Sequence, residues 1–148
     1  MNEKDYLNNR LNNQIKWYSD KSRKNKKYYY TLTILQIISA ACIPFLVSQI
    51  STDDNQLKIL VEMIGIIVVI TSGIMSAFRF NELWTSYRTT AETLKHEKYL
   101  FLSNAEPYQN EGNYPILVKR VESLISKEHS IWDESSKKDK EKIWLRID

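Results

Sequence analysis

Lys21-Ser-Arg-Lys-Asn-Lys-Lys27 runs directly into Tyr28-Tyr-Tyr-Thr-Leu-Thr-Ile-Leu-Gln-Ile-Ile-Ser-Ala-Ala-Cys-Ile-Pro-Phe-Leu-Val-Ser-Gln-Ile50, and this junction decides the fold. Five cations stand before 23 residues that carry no charge. A bilayer core of about 30 Å takes roughly 20 apolar residues, each adding about 1.5 Å of helical rise. Residues 28–50 meet that length, as do residues 57–78, where only Lys58 and Glu62 are charged. Between them lies Ser51-Thr-Asp-Asp-Asn-Gln56, a polar turn. The expected object is an all-α, integral-membrane two-helix hairpin: up through 28–50, around 51–56 on the outer side, and back through 57–78.

Whole-chain averages hide this pattern. The chain has 148 residues and a mean hydropathy of −0.44, values typical of a soluble domain, but its apolar residues are concentrated in two runs. Three glycines and three prolines are too few for an all-β sandwich or barrel, or for a glycine-rich nucleotide loop. A single cysteine, Cys42, excludes an intramolecular disulfide framework and a multi-thiolate metal site.

Charge gives the direction. Net charge is +5 over residues 1–27, −2 over 28–78 and zero over 79–148. The basic excess is therefore Lys21, Arg23, Lys24, Lys26 and Lys27, set against an apolar run. Cations flanking a span stay on the cytoplasmic side. Arg79 and Arg88 follow the second run, so both termini are expected in the cytoplasm of a multi-pass inner (plasma) membrane protein. Tyr28, Tyr29 and Tyr30 at one end, with Phe78, Phe80 and Trp84 at the other, stand where headgroups would lie. The basic cluster also admits a nucleic-acid reading, but its position favours the membrane, and no nucleic-acid partner is expected. A soluble hairpin would need a wet face on each helix. A cleaved signal sequence would have a shorter apolar core nearer residue 1.

The remaining segments read as helices that continue the spans. Leu7, Leu11, Ile15 and Tyr18 form one apolar stripe in residues 1–27, and the absence of proline or glycine before Pro44 allows one unbroken helix into the membrane. A kink is expected at Pro44. Phe80, Trp84, Tyr87, Ala91, Leu94, Lys98 and Phe101 alternate by four and three, extending the second span through 79–102. Pro107 and Gly112 mark a loop, Asn113 suits a helix cap and Pro115 a first turn. Leu117, Val121, Leu124 and Glu128, with Val118, Ile125 and Trp132 beside them, give a C-terminal amphipathic helix within 103–148, expected to pack on the cytoplasmic extensions.

No catalytic chemistry emerges. His96-Glu97 is followed by leucine at position 100, so the zinc-protease spacing is broken, and His129 is the only other imidazole. Cys42 is expected as a buried small hydrophobe. No catalytic residue, cofactor or metal site is expected, and the chain is expected not to be an enzyme. Polar groups inside the spans are more informative, because they face a partner helix or water. Glu62, Gly65, Val69, Ser72 and Ser76 form one narrow face, widened by Gly73 and Ala77. The first span offers Thr33, Gln36 and Ala40, with Ser39 adjacent. One hairpin has too little interface to satisfy Gln36 and Glu62, so a homo-oligomer is expected. The stripe either lines a pore with an acidic Glu62 ring, or forms a dry seam of small residues in which Glu62 reaches the surface beside Lys58. Taken by itself it favours the seam. The basic cluster either recognises anionic lipid headgroups or fixes topology. Arg88 and Glu92, four apart, are expected to pair, and Trp17, Trp84, Tyr87 and Trp132 to pack the cytoplasmic helices.

Arg10-Leu-Asn-Asn-Gln-Ile-Lys-Trp-Tyr18, Lys21-Ser, Asn25-Lys-Lys-Tyr-Tyr-Tyr30 and Trp84-Thr-Ser-Tyr-Arg-Thr-Thr-Ala-Glu-Thr-Leu-Lys-His-Glu-Lys98 resemble the SLATT two-transmembrane superfamily. Pro107-Tyr108 and Val121-Glu122 through Glu128 to Trp132 extend the likeness to about residues 6–132, within the branch known only as a domain of unknown function. The resemblance implies two spans with a cytoplasmic helical portion and a pore-forming effector role in prokaryotic defence. It supplies no catalytic residues. A chain of 148 residues leaves no room for a fused sensor, so a separate partner is expected to supply any trigger. The expected function is thus an oligomeric pore or channel-like assembly that passes ions. The alternative is a non-conducting membrane scaffold or sensor whose cytoplasmic helices bind a protein or anionic lipid.

Overall fold

With no proline or glycine in its first 43 residues, the N-terminal half has nothing to stop a helix once it starts. In the computed structural model it does not stop. α1 (Glu3–Asp5) passes through a π-helical segment (Tyr6–Leu11) into α2 (Asn12–Gln49), which continues through Pro44. α3 (Asn55–Phe78), α4 (Phe80–Leu102) and α5 (Tyr114–Trp144) complete the chain. The structure describes the backbone of residues 2–50, 55–109 and 112–144, and the side chains of all of these except 129 and 131–144. About 90% of the described residues are helical, and none of them lies in a strand.

The sequence boundaries need two adjustments. The polar turn expected at 51–56 is shorter on its far side, because Asn55 and Gln56 already belong to α3, while residues 51–54 lie outside the described residues. The second long helical stretch is interrupted at Arg79, whose φ of 47° is left-handed, so α3 ends at Phe78 and α4 begins at Phe80. The expected loop falls where Pro107 and Gly112 place it, between Leu102 and Tyr114. Asn113 stands directly before α5. Its carbonyl accepts from the Leu117 amide (3.1 Å), and its side-chain amide donates to the Tyr108 carbonyl (2.8 Å), tying the helix start to the loop.

The chain divides into two compact units. One comprises Met1–Asp20 and Tyr87–Asp148, the other Lys21–Ser86. The first has a conventional core. Tyr6, Leu11 and Tyr18 from the N-terminal helix, Ala91, Leu94 and Phe101 from α4, Tyr108 from the loop, and Leu117, Val121 and Ile125 from α5 are all buried. Each helix contributes one stripe, as the spacing of four and three predicts. Two corrections apply to the stripes. Tyr6 is buried deeper than Leu7, because the π turn brings residues five apart, Tyr6 and Leu11, over one another. On α4, Glu97 is buried where Lys98 was expected, and Lys98 lies half-buried with its ammonium donating to Asn12 Oδ1 at 2.8 Å.

The Lys21–Ser86 unit has almost no core. Its two helical stretches are long and apolar enough to cross a membrane, and their most apolar windows are 0% and 6% buried. Half-buried positions on α2 fall at Gln36, Ser39, Ile43 and Leu46, and on α3 at Val61, Ile64, Val68 and Met75, with Thr71 buried. These lines are where the two rods of the unit cover each other. Most other positions on the rods, including Ile37, Phe45 and Val69, are exposed. A soluble core helix has the reverse pattern.

Candidate functional site

Thr71 is the one buried residue of α3, and its hydroxyl donates back to the carbonyls of Ile67 and Val68 (2.8 and 3.0 Å). Thr33 does the same toward Tyr29 at 2.8 Å. Both hydroxyls are thus satisfied within their own helix, which suits an environment without water. Gln36 and Ser39 sit on the half-buried line of α2, whereas Ala40, expected beside Gln36, is exposed. Heptad spacing accounts for the difference, since 36, 39, 43 and 46 repeat by three and four and 40 does not fall on that line.

The α3 stripe faces away from the other rod. Glu62, Val69, Ser72, Gly73 and Ser76 are exposed and Gly65 is half-buried. A Cβ added at Gly65 or Gly73 would meet no atom within 4 Å, so neither glycine serves close packing inside this chain. Glu62, Gly65, Ile66, Val69 and Ile70 line a shallow open groove. Glu62 forms no ion pair among the described residues, so the expected neighbourly arrangement with Lys58 is not a salt bridge. Cys42 also departs from expectation. It is exposed on α2, because its position lies off the half-buried line.

At the opposite end of the rods, aromatic and basic side chains converge. Tyr28 and Phe80 lie 5.8 Å apart between ring centroids, and Phe80 stacks on Phe78 at 5.5 Å. The Lys26 ammonium sits 5.6 Å over the Trp84 ring and 5.7 Å from that of Tyr30. The Ser22 hydroxyl donates to the Trp84 carbonyl at 2.9 Å, and Trp84 Nε1 donates to Asn81 Oδ1 at 3.1 Å. The foot of the first rod and the foot of the second are therefore at one level. Lys21, Arg23, Lys24, Lys26 and Lys27 are all exposed there. A ring of aromatics with cations beside it is the chemistry that an interface between hydrocarbon and anionic headgroups accommodates.

The other unit holds polar sites that pattern reading passed over. Glu97, 4% exposed, accepts from Nη2 and Nε of Arg120 (2.6 and 2.9 Å) and from the Tyr108 hydroxyl (2.5 Å). Glu122 receives both arms of Arg10 (3.0 and 3.1 Å) and the Tyr6 hydroxyl (3.1 Å). Glu128 is buried and accepts from Tyr18 at 3.0 Å. The Arg120 hydrogen bonds hold the Glu97 carboxyl below the usual range against its burial, and Arg10 does the same for Glu122. Burial first, then the facing carboxylate, pushes the Tyr6 and Tyr18 phenols well above their ordinary value, and Tyr108 likewise. Three times, then, a tyrosine hydroxyl fastens a carboxylate, twice between helices and once, at Tyr108, from the loop to α4. The sequence signal was present in the placing of Tyr18 and Glu128 on apolar stripes, where a polar residue needs a partner.

The remaining predicted packing residues separate. Tyr87 is half-buried, its ring 6.1 Å from Tyr18 and 5.8 Å from Trp17. Trp17 packs edge-on against Tyr18 at 4.9 Å with much of its ring exposed. The side chains of Trp132 and His129 lie outside the described residues. The Arg88–Glu92 pair does not form. Glu92 bonds Lys95 at 3.0 Å, and Arg88 is exposed with no partner among the described residues. A glutamate N-terminal to its cation is the favoured order on a helix, and Lys95 offers it while Arg88 does not. No group of three or more His, Cys, Asp or Glu able to hold a metal occurs among the described residues.

Comparison with known proteins gives one assignment. No curated protein and no solved structure matches the chain significantly. The family described as "Protein of unknown function (DUF4231)" matches residues 13–115, which takes in both rods, the aromatic collar and the loop, and the chain belongs to that family.

Proposed function

We propose that the chain is a SLATT-like, multi-pass protein of the inner (plasma) membrane that assembles into a homo-oligomeric, pore- or channel-like complex. The carrying observation is the line Glu62, Ser72, Gly73 and Ser76, polar or small residues exposed on an apolar rod, with Gly65 half-buried in the same line and open space at the Cβ position of both glycines. An exposed carboxylate and hydroxyls on a lipid-facing helix are costly, so the line is turned to other copies or to water between them. On this reading both termini are cytoplasmic, Asp53 and Asp54 are outside, and Glu62 from each copy forms an acidic ring that draws cations. The chain has no enzymatic role and no nucleic-acid partner. A place as an effector in prokaryotic defence, triggered by a separate protein, follows from the SLATT likeness.

Purified protein reconstituted in liposomes tests the reading. It expects ion flux that Glu62→Gln reduces or makes less cation-selective and Ser72→Leu blocks. Absence of flux from a stable oligomer whose axis is closed or lipid-filled would overturn it. The exposed cations beside Trp84 and Tyr28 favour a second reading, a non-conducting scaffold held to anionic lipid. In that case both substitutions leave vesicle binding intact and flux is absent in every variant.

A further inference from the structure

The N-terminal helix carries two competing inward faces. At about 100° per residue, an α-helix through Tyr18, Ile15 and Leu11 puts Leu7 on the same face and turns Tyr6 away by about 140°. The six-residue π segment Tyr6–Leu11 reverses that choice. Its wider turn, marked by the Asn12 amide donating to the Leu7 carbonyl five residues back, sets Tyr6 over Leu11. Tyr6 is then buried and Leu7 only half-buried.

π turns have weaker backbone bonding than α and persist where side chains hold them. Here the holding groups are identifiable. Glu122 takes the Tyr6 hydroxyl and both arms of Arg10, the first and fifth residues of the segment. At the junction with α2, Lys98 bonds Asn12 Oδ1 (2.8 Å) and the Asn13 side chain bonds the Asn9 carbonyl (2.6 Å), giving a backbone acceptor at the changeover a partner. Leu7 supplies an apolar residue for the other register, so returning to α leaves the core covered. The Arg10–Glu122 pair lies at the surface, with side chains 42% and 40% exposed, and opens without unpacking the core.

We propose that residues 3–11 are a two-register switch, with Glu122 as the catch that selects the π register and Leu7 replacing Tyr6 when the catch opens. The device sits wholly within the Met1–Asp20/Tyr87–Asp148 unit and does not depend on the pore reading.

The test is a spin-label distance between cysteines at Lys4 and Ser126, both exposed, in full-length, detergent-solubilised protein carrying Cys42→Ser. Collapse of the π turn rotates Lys4 by roughly a quarter turn or more, which on a helix about 10 Å across moves the label by several ångströms. Glu122→Ala is expected to replace one narrow distance by a second narrow one, and Tyr6→Phe to populate both. Deleting Asn9 sets Tyr6 four residues before Leu11, on the stripe of a plain α-helix. In that background Glu122→Ala is expected to produce no shift. An unchanged distance in Glu122→Ala, a broad distribution signifying fraying, or a full shift despite the deletion overturns the proposal.

Discussion

Glu97 shows what one buried charge requires. Taking a carboxylate out of water is unfavourable by several kcal/mol unless its oxygens are met, and here Arg120 and Tyr108 meet them. Arg120→Ala leaves the carboxylate buried with one donor and is expected to destabilise the unit by about 2–3 kcal/mol, somewhat less than a fully buried pair because Arg120 is half exposed. Tyr108→Phe is expected to lose about 1–2 kcal/mol. Thermal unfolding in detergent ranks the two, and an equal or reversed order contradicts the assignment of Arg120 as the main partner. The pH dependence has a definite sign. Both Glu97 and Glu122 have carboxyls lowered by arginine, so their contribution is complete above the ordinary value of 4.5 and is lost as pH falls through their lower folded values. Melting temperature is therefore expected to drop below about pH 4.5, and to drop less steeply in the Glu97→Gln, Glu122→Gln double variant. Such partnerships are only half legible in a sequence. Lys98 satisfied the spacing of the α4 stripe, yet Glu97 took the buried place because an arginine 23 residues away reaches it.

At the scale of elements, apolar periodicity carried the prediction and backbone geometry limited it. Stripes on α2, α4 and α5 follow from spacings of three and four, and Pro107, Gly112 and Pro115 set the loop and the helix that follows. The break at Arg79 had no such signal, since no glycine or proline marks it. A side chain at φ 47° is disfavoured by about 1–2 kcal/mol relative to glycine. Arg79→Gly is therefore expected to hold or raise the melting temperature, the loss of its exposed Glu82 pair being worth at most about 0.5 kcal/mol. Arg79→Val is expected to lower it, since a branched side chain tolerates that conformation least. Along α4, a double-mutant cycle is expected to give about 0.3–0.5 kcal/mol between Glu92 and Lys95 and nothing between Arg88 and Glu92. The π segment was invisible for a related reason. Leu7 completes a plain α stripe, and what displaces it is Glu122, 112 residues beyond Arg10.

At the scale of the molecule, one unit is closed and the other is not. The most apolar stretches of the rods are 0% and 6% buried among the described residues, and on the proposed reading lipid or other copies cover them. The two glycines of α3 offer a way to tell what covers the Glu62 line. Because an added Cβ meets nothing within 4 Å at either position, Gly65→Ala and Gly73→Ala are expected to leave the isolated hairpin intact or stabilise it by up to about 1 kcal/mol through helix propensity. In an oligomer the outcomes diverge. If the line is a dry seam between copies, each methyl holds two backbones apart, and Gly73→Ala lowers the oligomer fraction in detergent severalfold while Glu62→Gln does little. If the line faces a lumen, Gly73→Ala leaves assembly unchanged, Gly73→Leu narrows the path and cuts flux, and Glu62→Gln shifts ion preference. Subunit counting by native mass spectrometry, run beside liposome flux on the same four variants, separates these cases. Substitutions that alter neither assembly nor flux would mean that lipid alone covers the face, and the oligomeric pore would have to be given up.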